Sequence, residues 1–470
     1  MSLLGPRKPI VPAPDDPAHG LRRTLGWPHL VALGVGAIVG TGILTLTGVG
    51  AALAGPGVIL SFLVAGLVCA AAALAYAELA TMIPQSGSAY TYTYSAIGET
   101  VAWIVGWSLI LEYSVVCSAV AVGWSGYFGG FMAGIGHPVP AALASGPGIG
   151  AGGGVINLPA VAIIAVVAGM LLIGTRESAT LNACLVALKI AALAMFVGFA
   201  LPAFRAANLH PFMPYGFFQQ SGPDGVKHGV MAAASIIFFA FYGFDAVSTA
   251  AEEARDPKRD LAIGIIGSML VCTLIYMLVA ASAVGALGYT RFAGSVEPLA
   301  VVLRALGHGE AAILLGAIAV VALPTVILAF LFGQTRIFFV MARDGLLPEL
   351  LGRVSPRSGV PVAVTIGTAI LVAAVAAFLP LAEIAALSNT GTLCAFIAVS
   401  ASMLILRRRE PDRPRGFRVP AAPLVGAVAI LGCLYLFWNL PLATQLRFFA
   451  WNGIGLVVYL LYARRRGLSG

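Results

Sequence analysis

Charge is what this chain has least of. Of its 470 residues only 10% are Asp, Glu, Lys or Arg, while 60% are hydrophobic and the mean hydropathy is +0.96. A water-soluble domain carries about 25% charged residues, and no soluble core could hide this much apolar surface. The sequence therefore reads as an integral membrane protein. Paired cysteines are missing as well. The six, at positions 69, 117, 184, 272, 394 and 433, form no Cys-x-x-Cys pair and fall within apolar runs, where they read as small membrane-buried hydrophobes. The six histidines, at 19, 29, 137, 210, 228 and 308, have no metal-ligand spacing, so no metal site is expected. The first 27 residues lack the apolar core and small-residue cleavage site of a signal peptide. They carry Pro6, Pro9, Pro12, Pro14 and Pro17 with Arg7, Lys8, Arg22 and Arg23, and read as a polar cytoplasmic tail.

Long apolar runs fill the rest. Twelve stretches are discernible, at 29–50, 57–83, 99–131, 155–173, 178–203, 228–250, 259–288, 310–342, 361–379, 381–406, 418–440 and 446–463. A span needs about 20 apolar residues, so the long third and eighth runs imply tilt or extension beyond the bilayer. The net charge of +8 would suit nucleic acid if it were clustered. Its distribution says otherwise. With the N-terminus inside, twenty-one basic residues fall in cytoplasmic segments and five outside, among them Arg176 and Arg464 to Arg466 on the inner side. That asymmetry places both termini in the cytoplasm and leaves nucleic-acid binding without support. The Gly-rich connection 144–159 lacks the preceding strand and phosphate-binding helix of a dinucleotide site. Short loops leave no room for a separate soluble domain.

The first apolar stretch contains "GVGAIVGTGIL", with glycines at 34, 36, 40 and 42 and Thr41 between the last two. Each glycine inside a helix costs about 0.5–1 kcal/mol relative to alanine. Either this is a small-residue packing face, for example Gly36 with Gly40, or the helix is interrupted near Thr41–Gly42. The sixth stretch, "SIIFFAFYGFDAVSTAAEEARDP", has a matching irregularity at Gly243, followed by Asp245. The two stretches lie five apart, an odd number, so the two halves would run in opposite orientations. Paired interrupted helices in inverted halves mark a secondary-transporter site at the membrane midplane. Broken backbone is tolerated at that depth only where protein buries it or it lines a cavity.

Four ionisable residues lie away from the ends of their stretches: Glu78, Glu112, Lys189 and Asp245. Each costs about 2.5–3.5 kcal/mol or more at a helix centre, so each needs a partner or a task. Lys189 is the lone basic one. Desolvation brings proton release within its reach, so it could stand in for a coupling cation; a static ion pair and a snorkelling side chain are the alternatives. Asp245 could cap a half-helix or serve as an ionic partner. Glu112 suits a specificity or proton-relay group, or a buried interhelical hydrogen bond. Glu78, near the cytoplasmic end, suits a structural or gating pair, and Glu252 and Glu253 with Arg255 read as the charged inner end of the sixth stretch. A break in the first stretch would offer amides at a positive helix end to a carboxylate. A break in the sixth would offer carbonyls to an ammonium. Together these describe a receptor for a zwitterionic α-amino acid.

The segments "LRRTLGWPHLVALGVGAIVGTGILTLTG" and "FFAFYGFDAVSTAAEEARDPKRDLAIGI", with "GQTRIFFVMARDGLLP" and "FRVPAAPLVGAVAILGCLYLFWNLP", resemble amino acid–polyamine–organocation transporters of the cationic amino acid transporter branch. The resemblance runs from about residue 21 to 466. It implies an all-α fold of twelve transmembrane helices. Two inverted repeats of five, 28–203 and 228–406, carry discontinuous helices 1 and 6, and two further helices follow in 418–463, between the tails 1–27 and 464–470. The resemblance also implies that the amides of Thr41 and Gly42 hold the carboxylate, and that the carbonyls of Phe239, Ala240 and Tyr242 hold the amino group. Lys189 matches the fifth-helix lysine that replaces sodium in proton-coupled members, and Glu112 matches a third-helix acid. Gly40, Gly243 and Asp245 would shape the breaks. Tyr242 departs from the aliphatic residue expected there, which bears on cavity size. Ile327, on the eighth helix, would shorten the pocket and offer nothing to a guanidinium.

The expected activity is therefore proton-coupled uptake of small or neutral L-amino acids across the inner membrane by alternating access. The proton gradient takes the place of a cofactor. Exchange of basic amino acids or polyamines is the runner-up, and an amino-acid sensor a distant alternative. An intramembrane enzyme would need a nucleophile–base or metal constellation, and the sequence has neither.

Overall fold

The structure is a computed structural model. It describes all residues except 1–4, 11–24, 86, 148, 150–153, 174–178, 223–225, 250, 252–253, 356–360 and 464–470, and at 179–182, 246 and 249 the backbone alone. The expectations for most of the N-terminal tail, for Arg176, for Glu252 and Glu253, and for Arg464 to Arg466 lie outside the described residues.

Apart from the short antiparallel pair β1 (Gln220–Ser221) and β2 (Lys227–His228), the regular structure is helical. The first apolar stretch holds α1 (Trp27–Ile38) and α2 (Thr41–Ala54), followed by α3 (Val58–Met82), α4 (Ser88–Ala96), α5 (Glu99–Gly134), the single turn α6 (Ala141–Ala144), α7 (Leu158–Ile173) and α8 (Ala179–Ala200). The sixth stretch holds α9 (Val230–Ile237) and α10 (Phe244–Thr249). Then come α11 (Pro257–Ala286), α12 (Pro298–Ala305), α13 (Gly309–Arg343), α14 (Glu349–Gly352), α15 (Val362–Phe378), α16 (Leu381–Arg409), α17 (Ala422–Asn439) and α18 (Leu442–Val458). Among the described residues, eight helical segments are long and apolar enough to cross a bilayer, beginning with the composite Trp27–Met82, and three shorter apolar helices accompany them. This is the build of a multi-pass membrane protein.

Lipid-facing side chains such as Leu67, Leu274, Ile370, Leu431 and Trp438 are exposed. The interior is built around α5, which packs along α13 and α16, while α3 and α1 both pack along α11. With 36 residues, α5 is about 50 Å long and outruns the roughly 30 Å hydrocarbon layer. Small residues bring these helices together. A Cβ on Gly391 of α16 would lie 2.7 Å from the Ser108 carbonyl oxygen and 2.9 Å from Glu112 Cβ on α5, so the α5–α16 contact needs glycine there. The last helix is fastened to α5 by exchanged indole bonds: Trp107 Nε1 donates to Trp451 O and Trp451 Nε1 to Trp107 O, each at 2.9 Å.

Of the six cysteines, four are buried within the protein, Cys394 is partly exposed, and Cys184 is exposed on α8, which turns much of its surface outward.

Glu78 has the structural partners expected of it. It is 1% exposed, and Arg407, at the end of α16, holds it with two guanidinium nitrogens, Nε at 2.8 Å and Nη2 on the other oxygen. Arg415 Nε reaches the same carboxylate at 3.1 Å, and the Val419 amide donates to it at 2.8 Å. One carboxylate thus pins the basic 407–419 connection to α3. Removing it strands two arginines, and an uncompensated buried charge costs about 3–5 kcal/mol. Glu78→Ala is therefore expected to lower the thermal unfolding midpoint of the purified protein sharply, and an unchanged midpoint would show that the cluster adds no net stability.

Candidate functional site

The first apolar stretch is interrupted. α1 ends at Ile38, Val39 is extended (φ −74°, ψ 96°), Gly40 has φ −152° and ψ −144°, and α2 begins at Thr41. The break thus lies at Val39–Gly40, two residues before the expected Thr41–Gly42. Thr41 and Gly42 are instead the first two residues of α2, so their amides belong to the four that a helix leaves without intrahelical acceptors. No side chain caps this end. The Thr41 and Thr45 hydroxyls beside it are buried without a hydrogen-bond partner.

The sixth stretch breaks in a different way. From Phe238 to Phe241 the chain tightens to 3-10 geometry, Tyr242 is extended (φ −63°, ψ 152°), and Gly243 turns at φ +112° before α10 starts. That φ lies in the left-handed region, which favours glycine. The Tyr242 amide reaches back to the Phe239 carbonyl at 3.4 Å. Asp245 lies in the first turn of α10, where a carboxylate complements the helix dipole. It is not the N-cap residue, and its Oδ2 accepts from the Tyr113 hydroxyl of α5 at 3.3 Å.

The two breaks touch each other. A Cβ on Gly42 would overlap Ala240, with the alanine methyl 2.6 Å away. A Cβ on Gly243 would fall 2.6 Å from the Ala37 carbonyl carbon and 2.9 Å from the Ile38 nitrogen. Each interrupted helix therefore presents a glycine to the backbone of the other. Gly42 serves close approach rather than the opening of the helix, while Gly40 sits in the break with its Cα side toward α13. A Cβ there would stand 3.5 Å from Val326 Cγ2. One residue on, Ile327 is fully buried, and its carbonyl accepts from Cys117 Sγ of α5 at 3.7 Å. Phe239, Ala240 and Tyr242 are 4%, 1% and 4% exposed, so this conformation is closed.

Side chains from four helices surround the breaks. Lys189 of α8 is 4% exposed, and its Nζ donates to the Gly36 carbonyl, near the C-terminus of α1, at 3.1 Å. A small apolar cleft beside it is lined by Val39, Leu44, Leu193 and Leu323 among others. Tyr276 of α11 donates to the Ile38 carbonyl at 2.7 Å. Asn389 of α16 donates from Nδ2 to the carbonyls of Ser235 at 2.6 Å and Ile236 at 3.1 Å, and its Oδ1 accepts from the Tyr242 hydroxyl. Glu112 is 1% exposed, lies within electrostatic range of Asp245 and Tyr242, and has Oε2 buried without a hydrogen-bond partner.

The breaks, Glu112, Asp245, Lys189 and the Ile327 turn are thus brought around one centre. Sequence reasoning missed Asn389, Tyr276 and Tyr113. The polar run "SNTGT" (388–392) inside an apolar stretch was a usable signal for Asn389; the two tyrosines gave none, since a buried tyrosine is unremarkable in an apolar helix.

Comparison with known proteins shows the family of the chain. The chain is 45% identical over 446 residues to a branched-chain amino acid permease of Bacillus subtilis (strain 168), covering 95% of this chain and 94% of the relative. It is 39% identical over 470 residues to a methylthioribose transporter of the same organism, covering 100% and 99%. It is 38% identical over 405 residues to the vacuolar cationic amino acid transporter 4 of Arabidopsis thaliana, covering 85% and 65%. These relatives are named as permeases and transporters, not as enzymes. The amino acid permease family matches residues 25–462, and the chain belongs to that family of amino acid–polyamine–organocation transporters.

Proposed function

We propose that the chain is a secondary active transporter that takes up small or neutral L-amino acids together with protons by alternating access. The observation that carries this reading is the contact between an uncapped helix N-terminus at Thr41–Gly42 and the broken turn Phe239–Tyr242. An uncapped N-terminus suits a carboxylate, and carbonyls at the end of a tightened turn suit an ammonium. A zwitterion bridging the two would satisfy both at once. In this reading twelve spans are arranged as two inverted sets of five, 28–203 and 228–406, with a final pair in 418–463 and both termini on the cytoplasmic side of the inner membrane.

Two observations support the neutral substrate class. Ile327 is buried and apolar beside the break, and two of the relatives are named for branched-chain amino acids, whose side chains carry no charge. The second reading, exchange of basic amino acids or polyamines, draws on Glu112, whose buried, unpartnered Oε2 would suit a cationic side chain, and on the cationic transporters among the relatives.

Lys189 supplies the coupling in this reading, and no cofactor is needed because the proton gradient drives transport. A protonated ammonium binds the negative end of α1 through the Gly36 carbonyl. Losing that proton in the alternate conformation would loosen α1.

Three experiments test these roles. In proteoliposomes with an imposed pH gradient, Lys189→Ala is expected to abolish radiolabelled amino-acid accumulation; wild-type proton dependence in this variant would overturn the coupling role. Gly42→Leu, which forces a side chain into Ala240, is expected to weaken calorimetric binding at least about 100-fold, and unchanged affinity would leave the glycine a packing residue only. Ile327→Ser is expected to improve binding of longer or basic amino acids by about tenfold in a competition panel. An unaltered panel would remove Ile327 from the pocket.

A further inference from the structure

Tyr242 occupies a double position. Its backbone belongs to the broken turn, while its side chain leaves that turn for α16, where the hydroxyl donates to Asn389 Oδ1. Its ring lies 5.0 Å from the Phe239 ring and 6.0 Å from the Phe238 ring, centroid to centroid. Asn389 is itself fully buried and fully engaged, since both Nδ2 protons go to the Ser235 and Ile236 carbonyls. Those carbonyls lie where α9 tightens to 3-10 geometry and the four-residue ladder loses register. One amide side chain thus binds two carbonyls at the end of α9 and also holds the aromatic ring that borders the break. Gly391, two residues on, lets α16 press against α5 and fixes where Asn389 stands.

We infer that the Asn389–Tyr242 pair is a specificity-determining contact: Asn389 is a positioning residue that holds the Tyr242 ring away from the space a substrate side chain enters. This rests on the site reading above and extends it to side-chain size. In the site reading above, Ile327 and the rotamer of residue 242 are what limit the substrate side chain. Tethered, the ring lies against Phe238 and Phe239. Without the hydroxyl the ring loses its anchor to the polar run of α16, where Ser388 and Thr392 also lie within its reach, and gains staggered rotamers about χ1, some of which would fill the space a long side chain needs. Loss of the hydroxyl should therefore penalise large amino acids more than small ones, whereas general destabilisation would penalise both alike.

The test compares alanine and leucine affinities of the purified full-length chain by calorimetry. Tyr242→Phe removes a single oxygen and is expected to shift the leucine-to-alanine affinity ratio at least about fivefold against leucine, the scale of one buried interhelical hydrogen bond. Asn389→Leu is expected to shift the ratio in the same direction, and the double variant no further than Asn389→Leu alone, because the contact that Tyr242→Phe removes is already absent there. An unchanged ratio, or two shifts that simply add, would overturn the inference. If Asn389→Leu does not fold, the ratio in Tyr242→Phe alone decides. Wild-type protein that binds neither amino acid would overturn the site reading itself, whereas wild-type binding with an unmoved ratio overturns only the role of the pair.

Discussion

A bilayer gives the backbone no water to fall back on, so each peptide group freed by a broken helix must find a partner inside the protein. The architecture of the site follows from how that obligation is met. At the end of α1, Val39 N–H returns to Val35 O at 2.8 Å, Lys189 takes the Gly36 carbonyl and Tyr276 takes the Ile38 carbonyl. At the end of α9, Asn389 takes the Ser235 and Ile236 carbonyls. Long donors from α8, α11 and α16 thus serve the carbonyl ends. The amide end of α2 has no side-chain cap. A helix N-terminus of this kind suits an anion, the role that the proposed function gives it.

Glycine makes the arrangement compact. Gly42 lies on Ala240 and Gly243 on Ala37 and Ile38, so each break is braced by the backbone of the other helix. Neither can open by itself. A rotation of α1 moves the surface that supports Gly243, and a shift of the 3-10 turn moves the surface that supports α2. In the proposed mechanism a small movement at one break would pass to the other through this direct contact, and a substrate bridging the two helices would first part Gly42 from Ala240.

Much of this was legible in the amino-acid sequence because polar and glycine residues stand out against an apolar background. Lys189, Asp245 and the glycines of the first stretch were visible on cost alone, and the family resemblance pointed to the same positions. The precise position of the break was not. The glycine pair suggested an opening centred on Thr41, whereas the helix restarts there, and Gly42 answers to Ala240, about 200 residues away in sequence. Partners of that kind are tertiary facts. Glu78 announced that it needed a cation, but only folding selects Arg407 and Arg415, 329 and 337 residues distant. Tyr276 and Tyr113 carried no signal because tyrosine is at home in an apolar helix until its hydroxyl finds a carbonyl or a carboxylate. Nor does an apolar stretch say which face looks at lipid and which at protein, so the exposure of Cys184 on α8 could not be read in advance.

The gap between α1 and α2 is two residues wide, and its two sides have opposite polarity. In the proposed mechanism the proton acts through Lys189 on the carbonyl side, at Gly36, and the substrate carboxylate acts on the amide side, at Thr41 and Gly42. Neither ligand touches the other, yet both hold the same pair of helix ends in place. A ligand that favours one arrangement of this gap must favour the other ligand's binding to that arrangement by the same free energy, because coupling of binding is reciprocal. Proton and amino acid would then be linked by the backbone of a single interrupted helix. No relay of side chains between them is required, which accounts for how few charges the interior of this protein needs.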